Sequence, residues 1–319
     1  MRQRFIKIGM SLGITIGLAG IASAADFPKD PVTLVVNYGA GGNTDVAARN
    51  LARGMEPFLK QTVVVSNKPG ALGTMGPAYL ARQPADGYTF GVVTYSTVAI
   101  APHLMNVSYT IDDFEFVGGF GRFRYGVAVR ADSPYKNIQD LVDAAKQGKG
   151  LFFGAPSAPN NLAMFDLAKV TGAKFEQILY KSGAETVTGL LSSQVDVIVQ
   201  NPSDILPHVA SGKMRLLASA SPIRWPEMPD VPTIKEQGFP VDIDSWLGVA
   251  APKGTPASTV KVLEEAMLNA MKNAEIRKNF TAIGVDPADL TGAEYRKALV
   301  DGYEIMGKSI KAANLPRVN

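Results

Sequence analysis

Nine short, nearly continuous apolar runs set the fold class of this chain. They lie at residues 32–37, 63–66, 89–94, 127–130, 151–154, 177–180, 195–199, 216–219 and 247–250. Each is rich in β-branched residues and too short for a stable helix, the mark of a strand buried on both faces. Helical patterns separate them, and strands alternating with helices give an α/β protein. Helix starts are well marked: Asn137–Asp140 resembles a capping box with the shorter carboxylate, and Thr291–Glu294 is a standard one. Val260, Leu263, Met267, Leu268 and Met271 recur at helical spacing and read as core. At 319 residues the chain exceeds a typical single domain, yet no long flexible linker divides it. Two lobes, with the chain passing between them more than once, is the economical reading. A ligand then sits between the lobes, at the carboxyl ends of strands.

The amino terminus reads as a cleaved leader over residues 1–24. Arg2, Arg4 and Lys7 precede an apolar stretch at 8–21, and Ala22-Ser23-Ala24 supplies a small–x–small cleavage pattern. The stretch is too short to span a bilayer comfortably. The mature protein is therefore expected outside the cytoplasm. Those three basic residues equal the whole formal charge of +3, so the alkaline character belongs to the leader and gives no argument for nucleic acid. There is no cysteine, which excludes disulfides, thiolate metal sites and a lipid-anchored cysteine.

The strongest site signal is the first strand-to-helix turn, Tyr38-Gly39-Ala40-Gly41-Gly42-Asn43-Thr44-Asp45. Glycines let backbone approach a ligand, and a helix start offers unpaired N–H donors and a favourable dipole. Asn43 and Thr44 add side-chain donors; Asp45 reads equally as a ligand contact or as a cap of its own helix. A dinucleotide fingerprint is disfavoured, because Thr44 stands where the third glycine belongs. Thr94-Tyr95-Ser96-Thr97 follows a strand and is rich in hydroxyls. Ser157, Asn160 and Asn161 occupy another strand-to-helix turn, and Gln200 and Asn201 end a very apolar strand. Uncharged donors at strand ends suit a carboxylate, although each also serves as an ordinary helix cap. Catalytic signals are poor: the two histidines, His103 and His208, lie near no obvious nucleophile or acid pair. No metal site or cofactor is expected. Arg122 and Arg124 read first as surface ion-pair formers and second as cleft cations.

Taken in order, several stretches resemble the periplasmic substrate-binding receptors of tripartite tricarboxylate transporters, the Bug family. They include Gly41-Gly42-Asn43-Thr44-Asp45-Val46-Ala47-Ala48-Arg49, Val63-Val64-Val65-Ser66-Asn67-Lys68-Pro69-Gly70-Ala71, Pro84-Ala85-Asp86-Gly87-Tyr88-Thr89, Tyr180-Lys181-Ser182-Gly183, Leu206-Pro207-His208-Val209-Ala210-Ser211-Gly212-Lys213 and Ala251-Pro252-Lys253-Gly254-Thr255-Pro256. The resemblance covers nearly the whole mature chain. It implies a two-lobed "Venus flytrap" of periplasmic-binding-protein type, with a mainly parallel sheet in each lobe. Residues 25–124 with 245–319 would form one lobe and 125–244 the other. It also implies a periplasmic monomer that binds a small carboxylate and delivers it to membrane permease subunits, by hinge closure and without covalent chemistry.

In that family the loops matching Tyr38–Asp45 and Thr94–Thr97 line one wall of the cleft. Those matching Ser157–Asn161, Tyr180–Gly183 and Gln200–Asn201 line the other. This sequence departs from the family where Asn43 replaces a usual serine and Gln200 a frequent aspartate. An amide at Gln200 removes a partner for an ammonium and a repulsion for an anion, so a carboxylate without positive charge is expected. Tyr38 and Tyr95 are able to stack on a ring, which leaves an aromatic acid open. A subunit presenting its ligand to a signalling kinase is an alternative that the sequence does not separate from transport, and a secreted hydrolase fits less well.

Overall fold

The computed structural model describes residues 27–148, 150–156, 158–180, 182–312 and 317. The expected leader and Ser157 fall outside them. The chain runs β1 (Val32–Val36), α1 (Asn43–Leu59), β2 (Val63–Asn67), α2 (Met75–Leu80), β3 (Thr89–Val92), α3 (Ala101–Leu104), β4 (Phe114–Phe123) and β5 (Gly126–Arg130). It continues through α4 (Ile138–Gln147), β6 (Leu151–Ala155), α5 (Ala158–Thr171), β7 (Phe175–Leu179), α6 (Gly183–Leu191), β8 (Val197–Gln200), α7 (Pro202–Ala210) and β9 (Met214–Ser219). It closes with β10 (Trp246–Pro252), α8 (Ala257–Ala270), α9 (Ala274–Ala282), β11 (Val285–Thr291) and α10 (Gly292–Ala312). All nine apolar runs are strands.

Two sheets result, one ordered β11-β4-β10-β3-β1-β2 and the other β7-β6-β8-β5-β9. Parallel pairing joins β1 to β2 and β3, and β6 to β7 and β8. Every other pair is antiparallel, so both sheets are mixed rather than mainly parallel. The cause is the crossing. β4 leaves the first sheet for β5 of the second, and the chain returns from β9 into β10. Strands that carry the chain out and back side by side must oppose each other, as β4 and β10 do, and β5 and β9.

The two crossing segments are hydrogen-bonded together. Phe123 N–H donates to Ser245 O at 2.9 Å, Ala220 N–H to Tyr125 O at 2.8 Å, and Tyr125 N–H to Ser221 Oγ at 2.9 Å. On the first sheet, α1 and α8 pack Leu51, Met55, Leu263 and Met267 against Leu34, Val36 and Phe90. Gly54 lets these helices meet, since a Cβ there would come within 2.9 Å of the Ala270 methyl. On the second sheet, Trp225, Ile205 and Leu190 cover Ala128 and Ile198.

Candidate functional site

A cleft of about 530 Å³ opens between the sheets, within the range of small-molecule sites. Its first wall takes Tyr38, Gly42, Asn43 and Thr44 from the β1–α1 turn, and Thr94 and Ser96 from the segment after β3. Its second wall takes Asn160, Gly183, Gln200 and Asn201. Phe123, Tyr125 and Ser245 enter from the crossing segments. Sequence reasoning missed these three, and it missed Gly70, Leu72, Gly73 and Asp204, which also line the cleft, as does Ser182 of the expected Tyr180–Gly183 loop. Gly70 and Gly73 had a legible signal in the Pro69-Gly70 turn that follows β2. Asp204 had none, because an acid in the first turn of a helix is ordinary.

The β1–α1 turn is held by Asp45, which does not line the cleft. One carboxylate oxygen accepts from Gly41 N–H and Arg49 Nε, both at 2.9 Å. The other accepts from Asn67 Nδ2 at 2.8 Å, and that same amide donates to Tyr38 O at 2.9 Å. Asp45 therefore neither lines the cleft nor caps α1; it ties the turn to α1 and to the end of β2. Burial pushes its carboxyl up, but the bonds from Arg49, Gly41 and Asn67 outweigh this and hold it below the usual range. The α1 N-cap is Gly42, which makes no side-chain cap. Asp45→Ala is expected to lower stability by about 2–3 kcal/mol, because three donors lose a charged acceptor. A lowered folded-state pKa gives stability that is present above the unfolded value, about 4, and is lost as pH falls through the folded one. Urea titrations should thus show the variant and the parent converging below about pH 4.

Hydroxyls shape the rest of the first wall. Tyr38 Oη shares a 3.1 Å hydrogen bond with Ser96 Oγ, which shares one of 2.9 Å with Thr94 Oγ1. Burial raises the Tyr38 phenol, against the opposing bonds from Ser96 and Thr94. Thr97 turns inward: its Oγ1 accepts from Thr94 N–H at 3.1 Å and donates to Thr94 O at 2.9 Å. Tyr95 belongs to the core, its ring lying where a Cβ on Gly302 would need to be. Neither Thr97 nor Tyr95 lines the cleft, so of the two rings offered for aromatic stacking only Tyr38 remains.

On the second wall, Asn160 Nδ2 donates to Val199 O at 2.6 Å, and Asn201 Nδ2 to Arg124 O at 2.7 Å. These amides brace strand ends. Gln200 differs. It is 1% exposed, and its Nε2 has no acceptor among the described residues. Asn161 and Tyr180 do not line the cleft. The Tyr180 ring covers Gly154 and Gly189, and its hydroxyl donates to Gln194 Oε1 at 3.3 Å. Gly183 is needed for close approach, since a Cβ there would come within 2.5 Å of Asp204 Oδ2. Asn43 Nδ2 donates to Ser203 Oγ at 3.2 Å and so joins the two walls directly.

No lysine, arginine or histidine lines the cleft among the described residues. Arg122 pairs with Asp244 at 2.5 Å and lies 4.7 Å from the Trp246 ring centroid. Arg124 is fully buried rather than at the surface, and pairs with Glu227 and Asp286. The second wall also carries Asp204, the one acid lining the cleft among the described residues. Burial pushes its carboxyl up, with His208 opposing. The histidines stay out of the cleft; His103 Nε2 lies 3.0 Å from Tyr303 O. What this arrangement offers a small molecule is hydrogen bonding from both sides.

The comparisons agree with this geometry. Residues 47–315 match the tripartite tricarboxylate transporter family receptor. The chain belongs to that family. Protein BugT of Bordetella pertussis is 32% identical over 302 residues, covering 91% of this chain and 92% of BugT. The structure of the periplasmic binding protein BugD superposes with a TM-score of 0.79 at 28% identity, covering 92% of this chain and 100% of that one. The structure of R. palustris Rpa4515 with adipate superposes with a TM-score of 0.81 at 27% identity, covering 92% and 100%. The two-lobed receptor fold expected from the sequence is the fold found.

Proposed function

We propose that this receptor captures a small organic carboxylate between its two lobes in the periplasm, and presents the closed form to membrane permease subunits. It acts by binding alone, as a monomer. The observation that carries the reading is the buried, unpartnered Nε2 of Gln200 in a cleft that also takes the start of the 17-residue helix α1. A buried donor without an acceptor is costly, and a helix start favours an anion. A ligand carboxylate relieves both. The adipate of Rpa4515 is a ligand of this class in a relative.

The contacts are Tyr38, Gly42, Asn43, Thr44, Thr94 and Ser96 from one lobe, and Asn160, Gly183, Gln200 and Asn201 from the other. The closing bodies are residues 25–124 with 245–319, and 125–244. The positions of the sheet crossings favour that division. Ligand contacts to both bodies shift the open–closed equilibrium by their differential affinity for the closed form.

A thermal-shift screen of the mature protein tests the reading, because a ligand of the folded state raises the melting temperature. Plain, hydroxy-, amino- and aromatic acids are set against sugars and nucleotides. Stabilisation by an acid class supports the proposal; stabilisation by sugars or nucleotides alone overturns it. Asn43→Ala removes a donor at the α1 start together with the bridge to Ser203. It is expected to weaken acid binding about tenfold in calorimetric titration.

A further inference from the structure

Among the described residues, the cleft of this anion receptor is lined by one acid and no base, which poses an electrostatic problem. Asp204 lines the second wall, and no hydrogen bond or ion pair engages its carboxylate among the described residues. Burial raises its carboxyl, and His208 is the one basic group that opposes this. His208 lies one turn further along α7 and does not line the cleft; Arg122 and Arg124 are committed to Asp244, Glu227 and Asp286. The site is nevertheless built around this side chain. Asp204 Oδ2 occupies the space where any side chain at position 183 would begin, and Gly183 leaves that space open.

Four residues earlier, on the same strand-to-helix turn, Gln200 presents a buried donor with no acceptor. One wall thus holds both a donor and an acceptor. A plain carboxylate satisfies the first and is repelled by the second. A molecule that carries both a carboxylate and a hydrogen-bond-donating group satisfies both, since an ionised carboxyl only accepts. We propose that Asp204 is a specificity-determining residue, and that it selects organic acids bearing an ammonium or hydroxyl group over plain acids of the same skeleton. This rests on the carboxylate-receptor reading above and sharpens its ligand class.

The test uses the mature protein and matched triads of acids in calorimetric titrations at pH 7.5. One triad is succinate, L-malate and L-aspartate; another is 3-phenylpropionate, L-phenyllactate and L-phenylalanine. In a triad that binds, the hydroxyl or amino member is expected to bind at least ten times more tightly than the plain acid. A tighter amino member identifies an ion pair with Asp204, and a tighter hydroxy member a neutral hydrogen bond. Asp204→Asn and Asp204→Ala should each bring the ratio close to one, chiefly by weakening the donor-bearing member. Urea midpoints of the variants serve as the folding control. Equal binding across a triad, or a ratio that survives both substitutions, overturns the inference and leaves the carboxylate receptor standing. If no acid of any triad binds while a sugar or nucleotide does, both readings fall together.

Discussion

Replacing Arg124 with alanine is expected to destabilise the protein by about 3–5 kcal/mol, the usual result of removing one partner from a buried ionic group. Arg124 is 0% exposed and sits where β4 gives way to β5. Its guanidinium bonds Glu227 through two nitrogens, with Nη2 to Oε1 at 2.9 Å, and its Nε lies 2.9 Å from Asp286 Oδ1. Glu227 comes from the segment between β9 and β10, and Asp286 from β11 of the other sheet, so one cation ties both lobes at their crossing. Alanine leaves two partly buried carboxylates facing each other.

The pH dependence has a definite sign. Burial pushes Glu227 up, but its bonds to Arg124 hold it below its ordinary value. Its contribution is present above the unfolded pKa, about 4, and is lost as pH falls through the folded one. Asp286 runs the other way: burial raises it while Arg124 opposes. Its contribution is present below the unfolded value and is lost as pH rises through the folded one. Without Arg124 it rises further, which adds to the deficit at neutral pH. Urea denaturation should therefore show a larger gap between parent and variant at pH 7 than at pH 4. Arg124→Lys should fall between them, because an ammonium cannot reproduce the planar fork. A loss below about 1 kcal/mol at pH 7 would reduce this pairing to the level of a surface salt bridge.

The same residue shows what could be read in advance and what could not. The nine apolar runs carry their structure in their own composition, and so does the capping box at Thr291, where Glu294 Oε2 accepts from Thr291 N–H at 2.9 Å. β4 escaped notice because Gly118, Gly119 and Gly121 interrupt its pattern, and glycine weakens an isolated strand. Those glycines answer to distant partners: a Cβ at 118 would come within 2.2 Å of Met267 Cε, and one at 121 within 2.6 Å of Val285. β11 holds Asp286, Pro287 and Asp289, which suit an edge strand and resemble a loop. In the site, the turn after β1 was legible because glycines and a helix start are local signals. Tyr95, Thr97, Asn161 and Tyr180 do not line the cleft although residues near them in sequence do, because proximity in sequence to a cleft-lining residue does not fix which way a side chain turns. The opposite environments of Arg122 and Arg124, two residues apart, depend on Asp244, Glu227 and Asp286, all far along the chain.

Gln200→Glu is expected to weaken acid binding by about 100-fold or more at pH 7.5, with no gross change in fold. The two side chains have nearly the same shape, so the substitution acts through charge and hydrogen bonding. Gln200 Nε2 is a buried donor that the described residues leave unpaired. A hydrogen bond from it to a charged ligand oxygen is worth about 1.5–3 kcal/mol, or roughly ten- to 100-fold in affinity. Gln200→Met should show this loss alone. Glutamate adds a negative charge to a wall that already holds Asp204, facing an anionic ligand. At about 5 Å and an effective dielectric near 20, one like-charge pair costs about 3 kcal/mol, a further factor of roughly 100. Burial and both neighbouring carboxylates push the new carboxyl's pKa up. Protonated, it regains a donor, so binding to Gln200→Glu should recover as pH falls from 7.5 to 5.5, while Gln200→Met stays weak at both. Calorimetric titration of the acid identified by the thermal screen decides it. Parental affinity in Gln200→Glu at pH 7.5 would place the ligand carboxylate away from β8, at the α1 start alone.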